Sequence, residues 1–416
     1  MPGYYPDYGE AALRRRLDRF LHTADAARAW LAPAEPPLPL PPPLWPPPVF
    51  ADYDTAVDWS ESEQPGFAGL VQAASSAGLD QQAWQLAETL WQVWPPSAAD
   101  ADWLRIGQLG LAAAEREGDT DGRIRLLMSL GTAYRSANRL DEGLRSLAQA
   151  LELCRSSDNR LDEAHALNLV GLLHLRARRL DSAAACFGSA LSTFREAGAD
   201  RWAAVVLSNV ASTRLNAGPA AEAAEAVRLA LDAYQELDDR RGEGNALRLA
   251  AALHIELGEL DEAEACVREA MRIALALRDH ALEAYWLITL GDVQRATVTY
   301  GDALISYQRS AALHRRLGDR SREALAWRGA GLTYEALDRP AEAAAFHRRA
   351  AAVHAELGDA WEQAVELDHL GAALHPRDPE TARSHWSQAL VCLTPFTDPR
   401  ADALRARIEQ RPARDG

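Results

Sequence analysis

The sequence predicts an all-α protein, a solenoid of helix-turn-helix repeats, from three observations. A glycine or alanine recurs at every fortieth position, beginning at Gly131. Two more columns of small residues follow it at fixed distances in nearly every repeat. Apolar residues within a repeat fall at i, i+4 and i+7, the spacing of one helical face. We therefore expect two antiparallel helices in each repeat, stacked as a right-handed solenoid.

The small-residue columns define seven repeats over residues 121–397. The first column holds Gly131, Gly171, Ala211, Ala251, Gly291, Gly331 and Gly371. The second holds Gly143, Ala183, Ala223, Ala263, Ala303 and Ala343, and the third holds Ala150, Ala190, Ala230, Ala270, Ser310, Ala350 and Ala389. A small side chain lets two helix axes approach closely, so we expect the paired helix to nest there. The last repeat is one residue shorter, at the loop 375–379.

The predicted helix ends carry characteristic residues. Four glycines share one register and suit the position just after a helix, namely Gly118, Gly198, Gly318 and Gly358. Acidic residues open several second helices, at Asp141, Asp181 and Asp261. Because a carboxylate accepts hydrogen bonds from free N–H groups and favours the positive helix end, we expect these acids to cap their helices.

Residues 1–120 follow a different plan. We expect an N-terminal helix within 1–32, then a proline-rich strap or linker over 33–52, because ten prolines between Pro33 and Pro48 exclude a helix. A helical cap and a degenerate first repeat should fill 53–120, with helices near 64–77, 81–94 and 101–117. After the seven repeats, residues 398–416 should form a C-terminal helix and tail.

Charge and composition exclude several kinds of protein. Arginine supplies all 44 basic residues against 60 acidic ones, a formal net charge of −16. Nucleic-acid and anionic-membrane binders carry a basic excess, so we expect no membrane binding and disfavour direct nucleic-acid contact. Nucleic-acid binding by an arginine-lined inner face stays open as a less favoured alternative, because the net charge does not exclude a local basic face. The four cysteines form no C-x-x-C pair, no apolar stretch approaches the length of a membrane span, and the N-terminus lacks a signal-peptide pattern. These features predict a cytoplasmic protein with reduced thiols.

Catalytic and metal-binding patterns are missing from the sequence. It contains no H-E-x-x-H and no G-x-S-x-G, and without lysine it cannot form the phosphate-binding G-x-x-x-x-G-K-[ST] loop. Asp368, His369, His375 and His385 crowd the last repeat. Because adjacent helical residues point about 100° apart, Asp368 and His369 make a poor chelate. We therefore expect no enzymatic activity, no cofactor and no metal.

The repeat columns resemble the tetratricopeptide (TPR) family consensus, with its first-helix glycine, second-helix alanine, later aromatic residue and later alanine. The resemblance covers residues 122–397. The family repeat has about 34 residues, whereas the columns here recur at every fortieth position, so each helix should be longer by nearly one turn. The resemblance implies a protein-interaction fold whose first helices line a concave groove.

A second resemblance covers the segment ahead of the repeats. It rests on three pieces, residues 11–27, residues 56–63 and residues 82–87. In this order they resemble the pre-TPR segment of actinobacterial STAND-class (NB-ARC) antibiotic-regulatory transcriptional regulators. The chain lacks the phosphate loop and an evident winged-helix region, so the resemblance implies only the sensor and interaction arm. Nucleotide hydrolysis and sequence-specific DNA reading do not carry over.

The TPR resemblance also implies which residues line the groove. They lie six and three residues before the repeat glycine, and one, four and five residues after it. The candidate peptide- or partner-binding residues are Arg125, Arg135, His165, Asn168, Arg176, Ser212, Asn216, Asn245, Arg248, Tyr285, Asp292, Arg295 and Arg328. Six arginines suit carboxylates, and the asparagines suit a peptide backbone.

These residues predict a non-catalytic module that binds an extended, acid-containing peptide or a partner protein, in transcriptional or signalling regulation. One alternative is a solvated concave face with intramolecular pairs, since Glu256, Asp292 and Glu335 lie at lining positions too. Another is a self-associating arm, or a docking arm for a separate NTPase regulator. Seven of the 12 tryptophans lie before residue 104, and exposed ones would mark such an interface.

Overall fold

The computed structural model describes residues 7–32, 37–95, 100–218 and 220–411, and within these ranges all regular structure is α-helical. The helices are α1 Asp7–Leu31, α2 Tyr53–Ser76, α3 Asp80–Gln92, α4 Asp100–Glu117, α5 Thr120–Ser136, α6 Leu140–Ser156, α7 Arg160–Arg176, α8 Leu180–Glu196, α9 Asp200–Ala217, α10 Ala220–Glu236, α11 Arg240–Leu257, α12 Leu260–Leu277, α13 His280–Ala296, α14 Tyr300–Arg316, α15 Arg320–Ala336, α16 Pro340–Glu356, α17 Ala360–Leu374, α18 Pro379–Leu393 and α19 Pro399–Glu409. The all-α repeat fold is confirmed.

The helices of the repeats are joined by very short connectors at regular intervals. At nearly every connector one residue takes a left-handed backbone, at φ between 50° and 78°. Gly118, Gly198, Gly318 and Gly358 do so, as the register predicts. Several other connectors use asparagine or aspartate, but one uses Val298 at φ 64°. The left-handed residue ends one helix and turns the chain directly into the next.

The acidic caps lie mostly on different helices from those predicted. The residues before α6, α8 and α12 make no side-chain cap, and Asp141, Asp181 and Asp261 lie inside the first turn of these helices. Most first helices are capped instead, because the carboxylates of Asp239, Asp319 and equivalent residues accept a hydrogen bond from the backbone N–H three residues on. The connector that ends a repeat therefore commonly supplies both the left-handed residue and the cap.

The glycines of the first column receive a large side chain from the second helix of the same repeat. A Cβ on Gly171 would lie 2.5 Å from Phe187, and one on Gly291 would lie 2.6 Å from Tyr307. The glycine therefore admits a bulky side chain at a fixed later position, a more specific role than the close approach of helix axes expected from the sequence. In the shorter last repeat, Gly371 receives Trp386, which follows its glycine one position sooner than Phe187 follows Gly171.

Where the first column holds alanine, the facing residue is smaller. Ala211 packs in one core cluster with Val227, and Ala251 packs in another with Val267. These valines have the same spacing from their alanine as Phe187 has from Gly171, so the sizes of the two facing residues change together. This compensation fills the space between the two helices of each repeat, as expected for close-packed interiors.

The described helices fall into two compact units, residues 1–170 and residues 171–416. In the first unit, α1, α2, α3 and α4 pack on one another ahead of the repeats. Helix α2 begins at residue 53, well before the predicted residue 64, and includes Pro65 in its interior. The strap runs beside α1, where the Leu44 N–H donates to Asp18 Oδ2 at 3.1 Å. Its first residues, 33–36, lie outside the described residues.

Most tryptophans of the first unit contribute to its core. Trp91 and Trp103 pack with ring centroids 4.9 Å apart, and Trp103 and Trp84 are buried. Trp30 and Trp45 are 41% and 49% exposed. The tryptophan-rich composition of this region therefore reflects mainly core packing.

The second unit contains the later repeats and the C-terminal helix. Within it, consecutive helices pack as antiparallel pairs, and first helices also contact the first helices of adjacent repeats, as in α9 with α11 and α11 with α13. First helices thus form one continuous layer. Among the described helices, none combines the length and apolarity that a bilayer crossing demands.

Candidate peptide-binding groove

The predicted lining residues share one environment. Most are half-buried, and they alternate along each first helix with buried core residues such as Leu247 and Leu249. This is the exposure expected of side chains on the layer face that turns away from the second helices. The lining residues divide between the two units, with those up to Asn168 in the first and those from Arg176 onward in the second.

In the first unit, the predicted residues have internal partners or are buried. Arg125 Nε donates to Asp121 Oδ2 at 3.0 Å, one turn away on α5. Burial, reinforced by the charge of Arg125, lowers the pKa of His165 to about 4, so this imidazole is neutral near pH 7. Asn168 is buried and Arg135 is half-buried. This part of the predicted face offers no clear cationic site among its described residues.

In the second unit, three predicted arginines form ion pairs with acids of the same chain. Arg176 Nη2 lies 2.7 Å from Asp359 Oδ2, and Arg328 is paired with both Glu362 and Glu366. Arg295 Nη2 lies 3.8 Å from Asp292 Oδ1. These pairs are of the intramolecular kind that the sequence left open as an alternative to a ligand site.

Asp292 is also held from a second helix. The Tyr307 hydroxyl donates to Asp292 Oδ1 at 2.7 Å. Burial raises the pKa of Asp292, and the hydrogen bond from Tyr307 and the charge of Arg295 oppose that rise. Asp292 therefore serves the packing of α13 against α14.

Arg248 differs from the other predicted arginines. Its guanidinium lies 4.7 Å from the ring centroid of Tyr285, and Arg322 covers the same ring at 4.6 Å. Arg248 Nε donates to Asn245 Oδ1 at 3.3 Å. No carboxylate lies within ion-pair distance of Arg248 in the part of the chain that the structure describes. We call Arg248, Tyr285 and Arg322 the arginine–tyrosine cluster.

The arginine–tyrosine cluster carries excess positive charge. Arg322 is paired with Asp319 at 2.7 Å, which leaves the charge of Arg248 without a matching acid among the described residues. The charge of Arg248 lowers the pKa of Tyr285 against the effect of burial, and Arg322 adds to this lowering. Stacked guanidinium groups and a phenol hydroxyl at one place suit a carboxylate ligand. Sequence reasoning missed Arg322, although it lies one helical turn before the predicted lining positions of its repeat.

Ser212 and Asn216 lie near the C-terminal segment of the second unit. Asn216 Nδ2 donates to the Ser212 carbonyl at 2.9 Å, so this amide is engaged within α9. At the end of α9, Arg400 Nη2 donates to the Leu215 carbonyl at 2.6 Å and also lies 2.7 Å from Glu256. The C-terminal segment therefore covers the carboxyl ends of α9 and α11.

A buried ion pair fixes this C-terminal segment. Arg178 donates to Asp398 through Nη2 at 2.6 Å and through Nε at 2.8 Å. Both side chains are almost fully buried, and the Arg178 guanidinium also lies 3.8 Å from the ring centroid of Trp361. No sequence pattern indicates this contact, because its two residues are 220 positions apart.

The comparisons with known proteins point to a helical-repeat fold. Residues 111–196 match the family model of the tetratricopeptide repeat, and no curated protein matches the chain. A Rap protein complexed with competence and sporulation factor is similar at TM-score 0.58 and 11% identity, covering 86% of this chain and 98% of that one. The Rap conjugation gene regulator of plasmid pLS20, in complex with the Phr* peptide, gives 0.53 and 17%, covering 67% and 76%.

A third similar structure is the apo form of the quorum sensor NprR from B. thuringiensis. Its TM-score is 0.52 at 12% identity, and the match covers 80% of this chain and 99% of that one. At these identities the likeness is one of fold. Together with the matched repeats and the regular helix pairs, it identifies this chain as one that carries tetratricopeptide repeats and has their all-α fold.

Proposed function

We propose that this chain is a non-catalytic interaction module that binds an extended, acid-containing peptide segment on the first-helix face of its second unit. The binding centre is the arginine–tyrosine cluster, and the setting is transcriptional or signalling control in the cytoplasm. The single observation that carries the proposal is Arg248, a half-buried arginine on that face with no acidic partner among the described residues.

The charge balance of the face supports an acidic ligand. Arg176, Arg295 and Arg328 have acids of their own chain beside them, so they are weak candidates for a ligand carboxylate. Arg248 would gain a charge-assisted hydrogen bond from a ligand without losing an ion pair. Asn245 orients its guanidinium from one helical turn away. A ligand carboxylate placed between Arg248 and Arg322 would complete the cluster.

The structural comparisons support a peptide partner in general, but not its chemistry. Two of the similar proteins, described above, are seen with competence and sporulation factor and with the Phr* peptide. They share the fold, and a rigid layer of first helices lowers the ordering cost that binding has to overcome. The chemistry of the ligand is inferred from this chain's own residues.

A display library of random hexapeptides, panned against the full chain, tests the proposal. We expect enriched peptides to carry aspartate, glutamate or a free C-terminal carboxylate. Arg248→Gln should weaken their binding about tenfold or more, because a hydrogen bond to a charged group contributes about 1.5–3 kcal/mol.

Arg228→Gln is the matched control for that substitution. Arg228 is an exposed arginine on a second helix, paired with Glu225 and Asp232. Its replacement should leave peptide affinity unchanged. Enrichment without acidic residues, or equal affinities for the Arg248 and Arg228 variants, would rule out the cluster as the binding centre.

A further inference from the structure

His347 on α16 stands in the position where other repeats place a large side chain against the first-helix glycine. It occupies the register of Phe187 and Tyr307, and a Cβ on Gly331 would lie 2.6 Å from its Nε2 atom. The side chain is fully buried. Its Nε2 atom makes no hydrogen bond of ordinary geometry within the described residues. The repeat geometry thus brings a polar ring nitrogen to the first-helix layer.

Two further side chains converge on this nitrogen. Glu335 on α15 places Oε1 3.3 Å from His347 Nε2 and 3.2 Å from His369 Nδ1. The two imidazole rings stack with centroids 5.0 Å apart and an interplanar angle of 18°. The three ligand atoms all lie within 4.8 Å of one another. We call Glu335, His347 and His369 the histidine–glutamate cluster.

The spacing within the histidine–glutamate cluster suits a small divalent cation. Zinc binds imidazole nitrogen and carboxylate oxygen at about 2.0–2.2 Å in tetrahedral geometry, which separates neighbouring ligand atoms by about 3.3–3.5 Å. Two of the three separations in the cluster, 3.2 Å and 3.3 Å, fall at or close to that value. The third separation, between the two imidazole nitrogens, is at most 4.8 Å, so a bound cation would draw these two rings closer together while leaving Glu335 nearly in place.

The surroundings of His347 already have the arrangement of a metal ligand. Glu366 Oε2 lies 2.7 Å from His347 Nδ1, and Arg328 in turn holds Glu366. A carboxylate that accepts a hydrogen bond from Nδ1–H fixes the ring orientation and leaves the lone pair of Nε2 for a metal. Glu366 would thus be a positioning residue, acting through His347.

We propose that Glu335, His347 and His369 bind one Zn²⁺ ion, with water in the fourth position. Zinc is favoured over magnesium or calcium because two of the three ligands are imidazoles, and the hard cations prefer oxygen ligands. Access comes from the side of Glu335 and His369, whose side chains are 29% and 22% exposed. Of the four last-repeat residues considered in the sequence, His369 alone belongs to the cluster, and its partners come from the preceding repeat.

Zinc titration of the full chain, in competition with a chromophoric chelator, tests the proposal. We expect one tightly bound equivalent, a rise in Tm with Zn²⁺, and no such rise with Mg²⁺. His369→Gln should remove the tight equivalent, and the partial exposure of His369 makes it a mild substitution for the fold. Glu366→Gln should weaken zinc binding by about 10–100-fold, as for other carboxylates that orient a metal-bound histidine.

His254→Gln is the matched control. His254 is similarly exposed and its Nδ1 lies 2.7 Å from Glu259, but it belongs to no cluster of three ligand groups among the described residues. Co²⁺ in place of zinc should give the visible absorption of a tetrahedral site in the wild type and in the His254 variant. Failure of the wild type to bind one equivalent, or equal zinc affinity in the His369 and His254 variants, would overturn the proposal.

Discussion

At the scale of single residues, the repeat glycine and the side chain it receives decide how a repeat packs. The column of glycines is visible in the sequence, but its meaning depends on a residue in the following helix. Where Gly171 faces Phe187, a Cβ could enter only if the ring moved, whereas Ala211 faces the smaller Val227. The same register places His347 over Gly331, so one packing rule also builds the histidine–glutamate cluster.

Gly171→Ala should destabilise the protein by about 1–3 kcal/mol, because the new methyl group would overpack against the Phe187 ring. Adding Phe187→Val should recover part of that loss, since the pair then copies Ala211 and Val227. The coupling energy between the two substitutions, measured from urea unfolding of the four variants, should lie in the range of about 0.5–3 kcal/mol.

Gly188→Ala provides the control for this cycle. Gly188 lies within α8 and has no atom within 4 Å of a built Cβ. At Gly188 the change to alanine should raise the free energy of unfolding by about 0.5–1 kcal/mol, through helix propensity alone. Equal effects at Gly171 and Gly188, or strict additivity of the Gly171 and Phe187 changes, would contradict the packing rule.

At the scale of elements, very short connectors set where each helix ends. Nearly every connector in the repeats contains one left-handed residue. Glycine, asparagine and aspartate adopt this conformation most easily, and most connectors use one of them. The shared register of the four glycines therefore predicted correctly where their helices end. The side-chain caps of the next helices come from aspartates that directly follow some of the left-handed residues.

Val298 is the connector residue least suited to its backbone. A β-branched side chain at φ 64° is strained, and this one is 65% exposed, so it contributes little packing in return. Val298→Gly should raise the free energy of unfolding by up to about 1 kcal/mol, as measured by thermal or urea denaturation. The reverse change at an equivalent position, Gly318→Val at φ 70°, should lower it. A loss of stability in the Val298 variant would refute the assignment of strain.

At the scale of the whole molecule, the second unit is fixed by contacts between residues far apart in sequence. The pair of Arg178 and Asp398 joins the connector after α7 to the start of α19, and Arg400 adds contacts to the ends of α9 and α11. The Arg400 contacts engage the Leu215 carbonyl and the Glu256 carboxylate at the carboxyl ends of these two first helices.

Asp398→Asn should destabilise the second unit by about 3–5 kcal/mol, because it leaves the buried guanidinium of Arg178 without its counter-charge. Asparagine still caps a helix well, so the N-terminal hydrogen bonds of α19 are preserved and the change isolates the charge. Hydrogen exchange should show faster opening of α19.

Asp402→Asn is the matched control, because Asp402 is exposed and its pair with Arg405 lies on the surface. Loss of this surface ion pair should lower the free energy of unfolding by no more than about 1 kcal/mol. The same exchange rates in α19 for both variants would show that the Arg178–Asp398 pair does not hold the C-terminal segment.

The sequence alone determined the fold class, the repeat register and the position of most helices in the repeats. These follow from short-range rules, since helical periodicity, small-residue columns and turn glycines act over at most one repeat. It failed locally at α2, where Pro65 lies inside a helix that was expected to begin only at residue 64, because tertiary packing of α2 on α1, α3 and α4 outweighs the proline.

Only the tertiary structure decided which lining arginines have acidic partners. Arg328 meets Glu362 and Glu366 across a repeat boundary, and Arg176 meets Asp359 from a repeat far along the chain, whereas Arg248 meets an aromatic ring. Residues at the same repeat position are indistinguishable in the sequence pattern. Their charge environments differ because each depends on a neighbouring helix or on the C-terminal segment, and long-range packing sets both.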